Sequence, residues 1–590
     1  MLYAYKKNIN SGLLKTLGTI ITIVAAPLIM LILASFIVEF GNLVDSFGLR
    51  VLLFAIIVSA IGFIGYEAYR SETGFNLSRF LTAMGSAGVG VVIIGLIQKL
   101  VITGIPNLWK TMELMTVNGF GLPFHSGVIP TVLIVAAIFF FGLRYAHNKG
   151  NALLQLTLIS AMLVTVGFST IGVVVIRANA NTPINMNAPS DPMRLLPYLN
   201  REQYGERPLL YGPNFTQDPV DNNIEERYGQ VTKDEKGNPV EEYAIVDEKV
   251  SYVYGDKVFF SRMGDGTQGR PEKYRNWVDK PKGEPTFIDN VNYFFKYQLG
   301  WMYWRYFMWN FAGRQNGEQG YYSWDKKSGH WETGISFIDE SRLYNMDELP
   351  EAMKNHRARN HYYLLPLIFG FFGLWFHMKR NANDALALLA MFIITGIGII
   401  IYSNQPPNEP RERDYVLVGS FFTFCIWIGM GALAMFEILR SKMDGKVAAT
   451  IGSLAVLAAP LLMGMANFDD HSRAHHSGAR DYASNFLQSC EPNAIIFTYG
   501  DNDTYPLWYA QEVENIRTDV RVVNLSLIAV DWYINQLVRK VNDSPAIKMS
   551  ISPEDYRGMK RNTIPFVNPA GREAAEREMT AQQFLSFIGD

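Results

Sequence analysis

Long apolar runs alternate with short polar connections at both ends of the chain, and a hydrophilic block from about 177 to 362 separates the two series. Five runs precede the block, at 14–37, 50–69, 80–102, 128–145 and 153–176, and four follow it, at 362–378, 385–403, 415–438 and 447–466. Roughly 20 apolar residues in succession cross a hydrocarbon layer. The pattern therefore predicts a polytopic α-helical membrane protein with about nine transmembrane helices, a large irregular extracytoplasmic loop domain and a C-terminal α/β domain. The domain order is 1–177 (helices 1–5), 178–361 (loop domain), 362–466 (helices 6–9) and 467–590 (periplasmic α/β domain). The run at 362–378 is the shortest. A buried re-entrant segment is the other reading of it, but the charge pattern needs a crossing there.

Basic residues set the orientation. Lys6, Lys7 and Lys15, then Arg70 and Arg79, Arg144 and Lys149, Lys379 and Arg380, and Arg440, Lys442 and Lys446 all fall on one side if each run crosses once. The positive-inside rule makes that side the cytoplasm. The expected location is a bacterial inner membrane, with the N-terminus cytoplasmic and the central block and C-terminus periplasmic. The first run is long and has no small-residue cleavage motif, so no cleavable signal peptide is expected.

Net charge of -2 over 590 residues gives no basic footprint for nucleic acid. No GxxxxGK[ST] loop and no GxGxxG occurs, so no nucleotide or dinucleotide cofactor is expected, and none of any other kind is. The two cysteines, one in an apolar run and one in the polar tail, exclude a disulfide framework.

Between 103 and 127, an apolar-polar periodicity through Leu108, Met112 and Met115 predicts a short interfacial helix and a glycine turn, with Trp109 at headgroup depth. Pro192 opens a predicted helix with Met193, Leu195, Leu196 and Leu199 on its apolar positions. Residues 212–290 are polar, with short strand candidates at YAIVD and SYVYG and turn signals at DEKGNP and GDGTQG.

The stretch from Val291 to Asn316 is dense in Tyr and Trp. One reading is an interfacial helix that anchors the block. The functional reading places Arg305, Asn310 and Arg314 toward a lipid phosphate or sugar, because a guanidinium pairs with two oxygens at once. On a straight helix, residues nine apart point to opposite sides. Either the helix breaks near Asn310 or one arginine is structural, and Arg305, beside Trp301 and Trp304, has the better claim to phosphate. PRERDY adds Arg413 and Asp414 at the mouth of a run, as boundary charges or as groups facing a cavity.

After the last run, Asp469, Asp470, His471 and His475 form a weak candidate cation cluster. The bland reading is that Asp469 or Asp470 caps a helix running to Leu487. The tail then reads strand (Ala494–Thr498), helix (Leu507–Ile516), strand (Val520–Leu527) and helix (Trp532–Val541), which implies parallel pairing. Asp501, Asn502 and Asp503 follow the first strand, as a ligand loop or as turn chemistry.

Five pieces, LMTVNGFGLPFHSG, NREQYGERPLLYGP, YWRYFMWNFAGRQN, EPRERDYVLVGSFFTFCIWIG and NAIIFTYGDNDTYPLWYAQEVENIRTDVRVVNLSL, resemble a membrane-protein family of Bacteroidetes-type bacteria. That family is similar to protein O-mannosyltransferases of the glycosyltransferase C superfamily. The resemblance implies transfer of a sugar from a polyprenyl-phosphate donor to an extracytoplasmic protein acceptor, with the lipid bilayer as surroundings. It matches the family's C-terminal two-thirds, and the expected partner is a separately encoded N-terminal module. Family members carry a paired acidic motif in their first outer loop, where this chain has only Glu39 and Asp45, so no catalytic residue carries over. The competing expectation is a non-catalytic envelope protein whose periplasmic domains bind protein or glycan partners.

Overall fold

A computed structural model describes residues 77–558, apart from 203, 204, 206, 234–238 and 410, together with 12, 15–17, 19 and 20. Among these residues six helices are long and apolar enough to cross a membrane: Gly88–Gly119, Val128–Asn148, Ala152–Asn179, Ala382–Ser403, Asp414–Leu439 and Gly445–His471. By length and composition this is a membrane protein. These helices correspond to six of the nine expected runs. The runs at 14–37 and 50–69 lie almost wholly outside the described residues. The run at 362–378 forms the 16-residue helix Leu365–Arg380. At 1.5 Å per residue it spans about 24 Å, short of a layer about 30 Å thick.

The chain's contacts divide it into two units that interleave in sequence: Met1–Ile93, Glu206–Asp221 and Tyr252–Arg473 form one, and Ile94–Gly205, Asn222–Ser251 and Ala474–Asp590 the other.

The first unit is built on the aromatic stretch. Phe287–Tyr293, Phe294–Trp304 and Arg305–Phe311 run on as one helix with a π-helical middle. Thr286 and Asp289 form a capping box at its start. It is not an exposed anchor. Phe294, Leu299, Tyr303, Phe307, Met308, Trp309 and Phe311 are buried in one core with Phe392, Ile397, Phe421, Phe424 and Trp427 of the apolar helices. Small residues admit it: Tyr303 lies where a Cβ on Gly396 would be, 2.5 Å from its ring, and its hydroxyl meets Ser420 Oγ at 2.7 Å. The Leu365–Arg380 helix packs on Val418–Leu439 by the same means. A Cβ on Gly373 would come within 1.7 Å of the Trp427 carbonyl oxygen.

Beyond Ala312 the chain leaves the helix. Gly313, at φ +133°, begins a short strand in which Gly313–Arg314 pairs antiparallel with Asn360–His361. A Cβ on Gly313 would lie 2.3 Å from the carbonyl oxygens of Asn360 and Glu332. Glu332 is buried there and accepts from Arg359 Nε at 2.9 Å and His361 Nε2 at 2.8 Å.

In the second unit the central block is more regular than expected. Asp221–Lys233 and Pro239–Val253 pair as a long hairpin whose second strand contains YAIVD. The DEKGNP turn lies largely outside the described residues. Tyr243 docks the hairpin on the Gly104–Leu114 helix and its π-helical extension Met115–Gly119. Asn118 donates to the Tyr243 carbonyl at 2.8 Å and accepts from its N–H at 2.9 Å, as a strand neighbour would. Glu113, fully buried, accepts from the backbone N–H groups of His125 and Gly127, from Trp109 Nε1 and from the Tyr243 hydroxyl. Asp191 caps Pro192–Asn200, with its carboxylate accepting from Met193 and Arg194 N–H at 2.9 and 3.1 Å.

The tail is α/β as expected, with shifted bounds. Ile495–Thr498 and Arg521–Asn524 pair parallel, Ile495 opposite Arg521. The intervening helix is Asp501–Glu512 rather than 507–516, and the next is Asp531–Leu537. Pro506 lies inside the first of these helices, past its first turn, and leaves the Asn502 carbonyl without the N–H bond that another residue there would supply.

Candidate functional site

The first unit holds a shallow hollow, about 550 Å³ with the open space at its mouth included, where the connection between Ala382–Ser403 and Asp414–Leu439 folds over the aromatic helix. Several hydrogen bonds fix that connection. The Tyr293 hydroxyl donates to the Gln405 carbonyl at 3.2 Å, and Gln298 Nε2 reaches Asn404 Oδ1 at 3.1 Å. Asn404 Nδ2 donates to the Ser261 carbonyl at 3.0 Å. Asn404 itself ends the Ile399–Ser403 helix in a left-handed conformation. Buried Arg262 satisfies another helix-end group by donating to the Ile401 carbonyl at 2.8 Å. Burial pushes its pKa down to about 10.

Arg305 forms the base of the hollow. Its Nε donates to the Trp301 carbonyl at 2.9 Å, one terminal nitrogen to the Gly329 carbonyl at 2.8 Å, and the other to Glu412 Oε1 at 2.6 Å. Its guanidinium carbon lies 4.3 Å from the Trp301 ring centre and 4.4 Å from that of Trp309. Burial lowers its pKa, opposed by the Glu412 carboxylate. Fork, ring faces and charge are thus all engaged inside the protein, which gives Arg305 a scaffolding part at this site.

Arg411, Arg413 and Asp414 form the rim. Glu409 gathers Arg207 at 3.4 Å, Arg413 at 3.8 Å and Arg270 at 3.9 Å. Arg411 is exposed and has no ion-pair or hydrogen-bond partner among the described residues. Burial, then the nearby Asp414 charge, pushes the Tyr306 hydroxyl up to about 12, so it stays protonated as a donor at the wall. The lining is of mixed charge, Arg305, Arg411 and Arg413 against Glu409, Glu412 and Asp414, beside an aromatic wall and apolar Ile400 and Leu417.

The structure brings Arg305, Arg413 and Asp414 together although more than 100 residues separate them. Asn310 and Arg314 do not line the hollow. Asn310 Nδ2 donates to the Tyr306 carbonyl one turn back. Arg314 lies over Trp309 at 4.5 Å, with its Nε buried and unpartnered among the described residues. The helix does end just past Asn310, so the two arginines leave the stretch on different elements.

Asp469 and Asp470 do not cap the following helix. They lie in the last turn of Gly445–His471, and the next helix is Gly478–Gln488. Ser472 turns extended, at ψ 129°, so His471 and His475 do not share a helical face. His471 Nδ1 meets Asp470 Oδ1 at 2.8 Å. Among the described residues no three His, Cys, Asp or Glu side chains gather as metal ligands. Asp501, Asn502 and Asp503 are exposed in the first turn of their helix, where acidic side chains complement the helix dipole. Their N-cap, Gly500, needs its φ of +76°. Asn524 Nδ2 reaches its carbonyl at 3.5 Å. Sequence reasoning placed Arg411 and Glu412 at the mouth of the run in PRERDY without counting them among the site residues, and it missed Glu409, which directly precedes that motif.

A family model described as TMEM260-associated domain 2 matches residues 479–590, and one described as a family of unknown function (DUF8416) matches residues 205–295. The tail is similar to that domain. The first match covers the parallel strand pair and the second the hairpin, while the hollow lies between them in sequence. Neither description names a glycosyltransferase. No curated protein and no solved structure matches the chain.

Proposed function

We propose that the chain is part of a membrane glycosyltransferase-like protein that handles a polyprenyl-phosphate-linked sugar, with the phosphate held at Arg411 and Arg413. The observation that carries this reading is the convergence of the aromatic helix and the charged 411–414 segment in one hollow at the ends of two apolar helices. A phosphate there meets a guanidinium with no partner among the described residues and a second held only loosely, 3.8 Å from Glu409. The prenyl chain meets Ile400, Val416 and Leu417. The distribution of Lys and Arg supports a bacterial inner membrane with this hollow on the periplasmic side. The acceptor is an extracytoplasmic protein in this reading, and no residue of the chain is assigned as the catalytic base.

The test uses the full chain in nanodiscs and a fluorescent short-chain polyprenyl phosphate. Arg411→Gln with Arg413→Gln weakens binding roughly tenfold to a hundredfold, the range expected for losing charge-assisted hydrogen bonds. Equal affinity in wild type and double variant, or equal affinity for the polyprenol without its phosphate, contradicts the proposal.

A further inference from the structure

The second unit carries a separate polar groove of about 1120 Å³, measured to its open mouth. The segment after the Ala152–Asn179 span, the central hairpin and the Asp531–Leu537 helix contribute to it. Its walls are held rigidly. Arg194 grips Asp531 with both terminal nitrogens, at 3.0 and 3.4 Å. The Gln536 amide donates to the Asn185 carbonyl at 2.8 Å and accepts from the Asn185 N–H at 3.2 Å. Arg539 donates to Asn181 Oδ1 at 3.0 Å. Asn181, Asn187 and Ala188 all have positive φ, of 52, 60 and 39°. Backbone in such sparsely populated regions persists where surrounding bonds over-determine it.

The chemistry of the lining selects a ligand class. A hydroxyl both donates and accepts, so a polyol calls for fixed donors and acceptors side by side. Asn535 is exposed, and the Tyr556 hydroxyl donates to its Oδ1 at 2.9 Å, which fixes the amide so that its NH2 is the free end. Asp531 retains acceptor capacity beyond its bonds to Arg194 and the Gly558 N–H. Half-buried Trp532 stands between them in sequence and supplies an apolar face for ring C–H groups. Of the three lining guanidinium groups, those of Arg194 and Arg539 are engaged with the protein, and the third, Arg557, shares the lining with the carboxylates of Asp191 and Asp531, so no two guanidinium groups are left free to select an anion.

We infer that this groove binds a neutral oligosaccharide, with a sugar ring on Trp532 and its hydroxyls on Asn535 and Asp531. The inference stands apart from the phosphate hollow and from whether the chain transfers a sugar.

Saturation-transfer NMR on the full chain in nanodiscs tests it with maltotriose, chitotriose, mannotriose and, as an anionic counter-probe, trigalacturonic acid. At least one neutral trisaccharide binds at roughly millimolar concentration. Asn535→Asp keeps the acceptor for Tyr556 and removes the free donor, and Trp532→Ala removes the platform. Each lowers that affinity about tenfold, while Arg411→Gln with Arg413→Gln leaves it unchanged. Should Trp532→Ala fail to fold, Asn535→Asp decides alone, because its side chain is exposed. Binding of the acidic trimer only, no binding at all, unaltered affinity in Asn535→Asp, or loss in the arginine double variant overturns the assignment.

Discussion

Arg305 and Arg314 share one indole: their guanidinium carbons lie 4.4 and 4.5 Å from the ring centre of Trp309. Yet their partners differ. Arg305 has a bond from each guanidinium nitrogen, whereas the Nε of Arg314 is buried with none among the described residues. Removing the first takes from Glu412 its ion pair and from the Gly329 and Trp301 carbonyls a donor. Arg305→Ala is expected to cost roughly 3 kcal/mol, the low end for breaking one side of a buried ion pair. Arg314→Ala loses chiefly its ring contact, roughly 1 kcal/mol. Thermal midpoints of the two variants in detergent check the order, and a larger loss for Arg314→Ala refutes it.

Acid should weaken the first unit through His330. Burial, reinforced by the Arg342 charge, pushes its pKa down to about 3 from the usual 6.5. The unfolded chain therefore takes up a proton below about pH 6.5 that the folded chain refuses until about pH 3. Stability falls through that window as pH drops, by at most about 1.4 kcal/mol per unit. His330→Asn flattens the slope of unfolding free energy between pH 6 and 4. A variant with the wild-type slope shows that other groups set it.

Glu332 acts lower on the same scale. Burial raises its carboxyl pKa, but hydrogen bonds from His361 and Arg359 and their charges outweigh this and the net shift is downward from 4.5. A depressed carboxyl contributes stability above its unfolded pKa and loses it as pH falls through the folded one. Wild type should exceed Arg359→Met by roughly 3 kcal/mol at pH 7. That margin shrinks below about pH 4.5. A margin constant down to pH 3 excludes the carboxylate as its source.

Gly373→Ala should separate two helices. The added methyl would meet the Trp427 carbonyl oxygen at 1.7 Å, and backbone on backbone has no flexible side chain to yield. Overpacking costs typically 1–3 kcal/mol, and a clash this close exceeds that range. Gly429→Ala, with open space around it, is the matched control. Equal yield of monodisperse protein from both would show that the contact between Leu365–Arg380 and Val418–Leu439 is looser than described.

Hydropathy alone located the long helices at 128–148, 152–179 and 445–471 to within a few residues, because uninterrupted apolar length is a local property. Rings and charges were legible as candidates but not as roles. Nothing local tells that Tyr303 goes inside, since its place depends on Gly396 and Ser420 about 100 residues away. The hairpin was read as scattered short strands because its alternation is polar on both faces, and Tyr243 is the one residue of its second strand that is buried. Glu113 gave no signal at all. A lone carboxylate in a helix looks solvated until the backbone at His125 and Gly127 closes on it.

The burial of the Phe287–Phe311 helix imposes an order of events during biogenesis. Insertion machinery sorts segments by hydropathy, and a segment carrying Asp289, Asn290, Lys296, Gln298 and Arg305 is left in water. Its binding partners, Gly396, Ser420, Phe421 and Phe424, belong to helices synthesised later. A ribosome must therefore add more than 100 further residues before the aromatic helix has anywhere to go. In that interval its rings face solvent, exposed to aggregation and to chaperones, so the yield of folded protein depends on how promptly the last helices arrive.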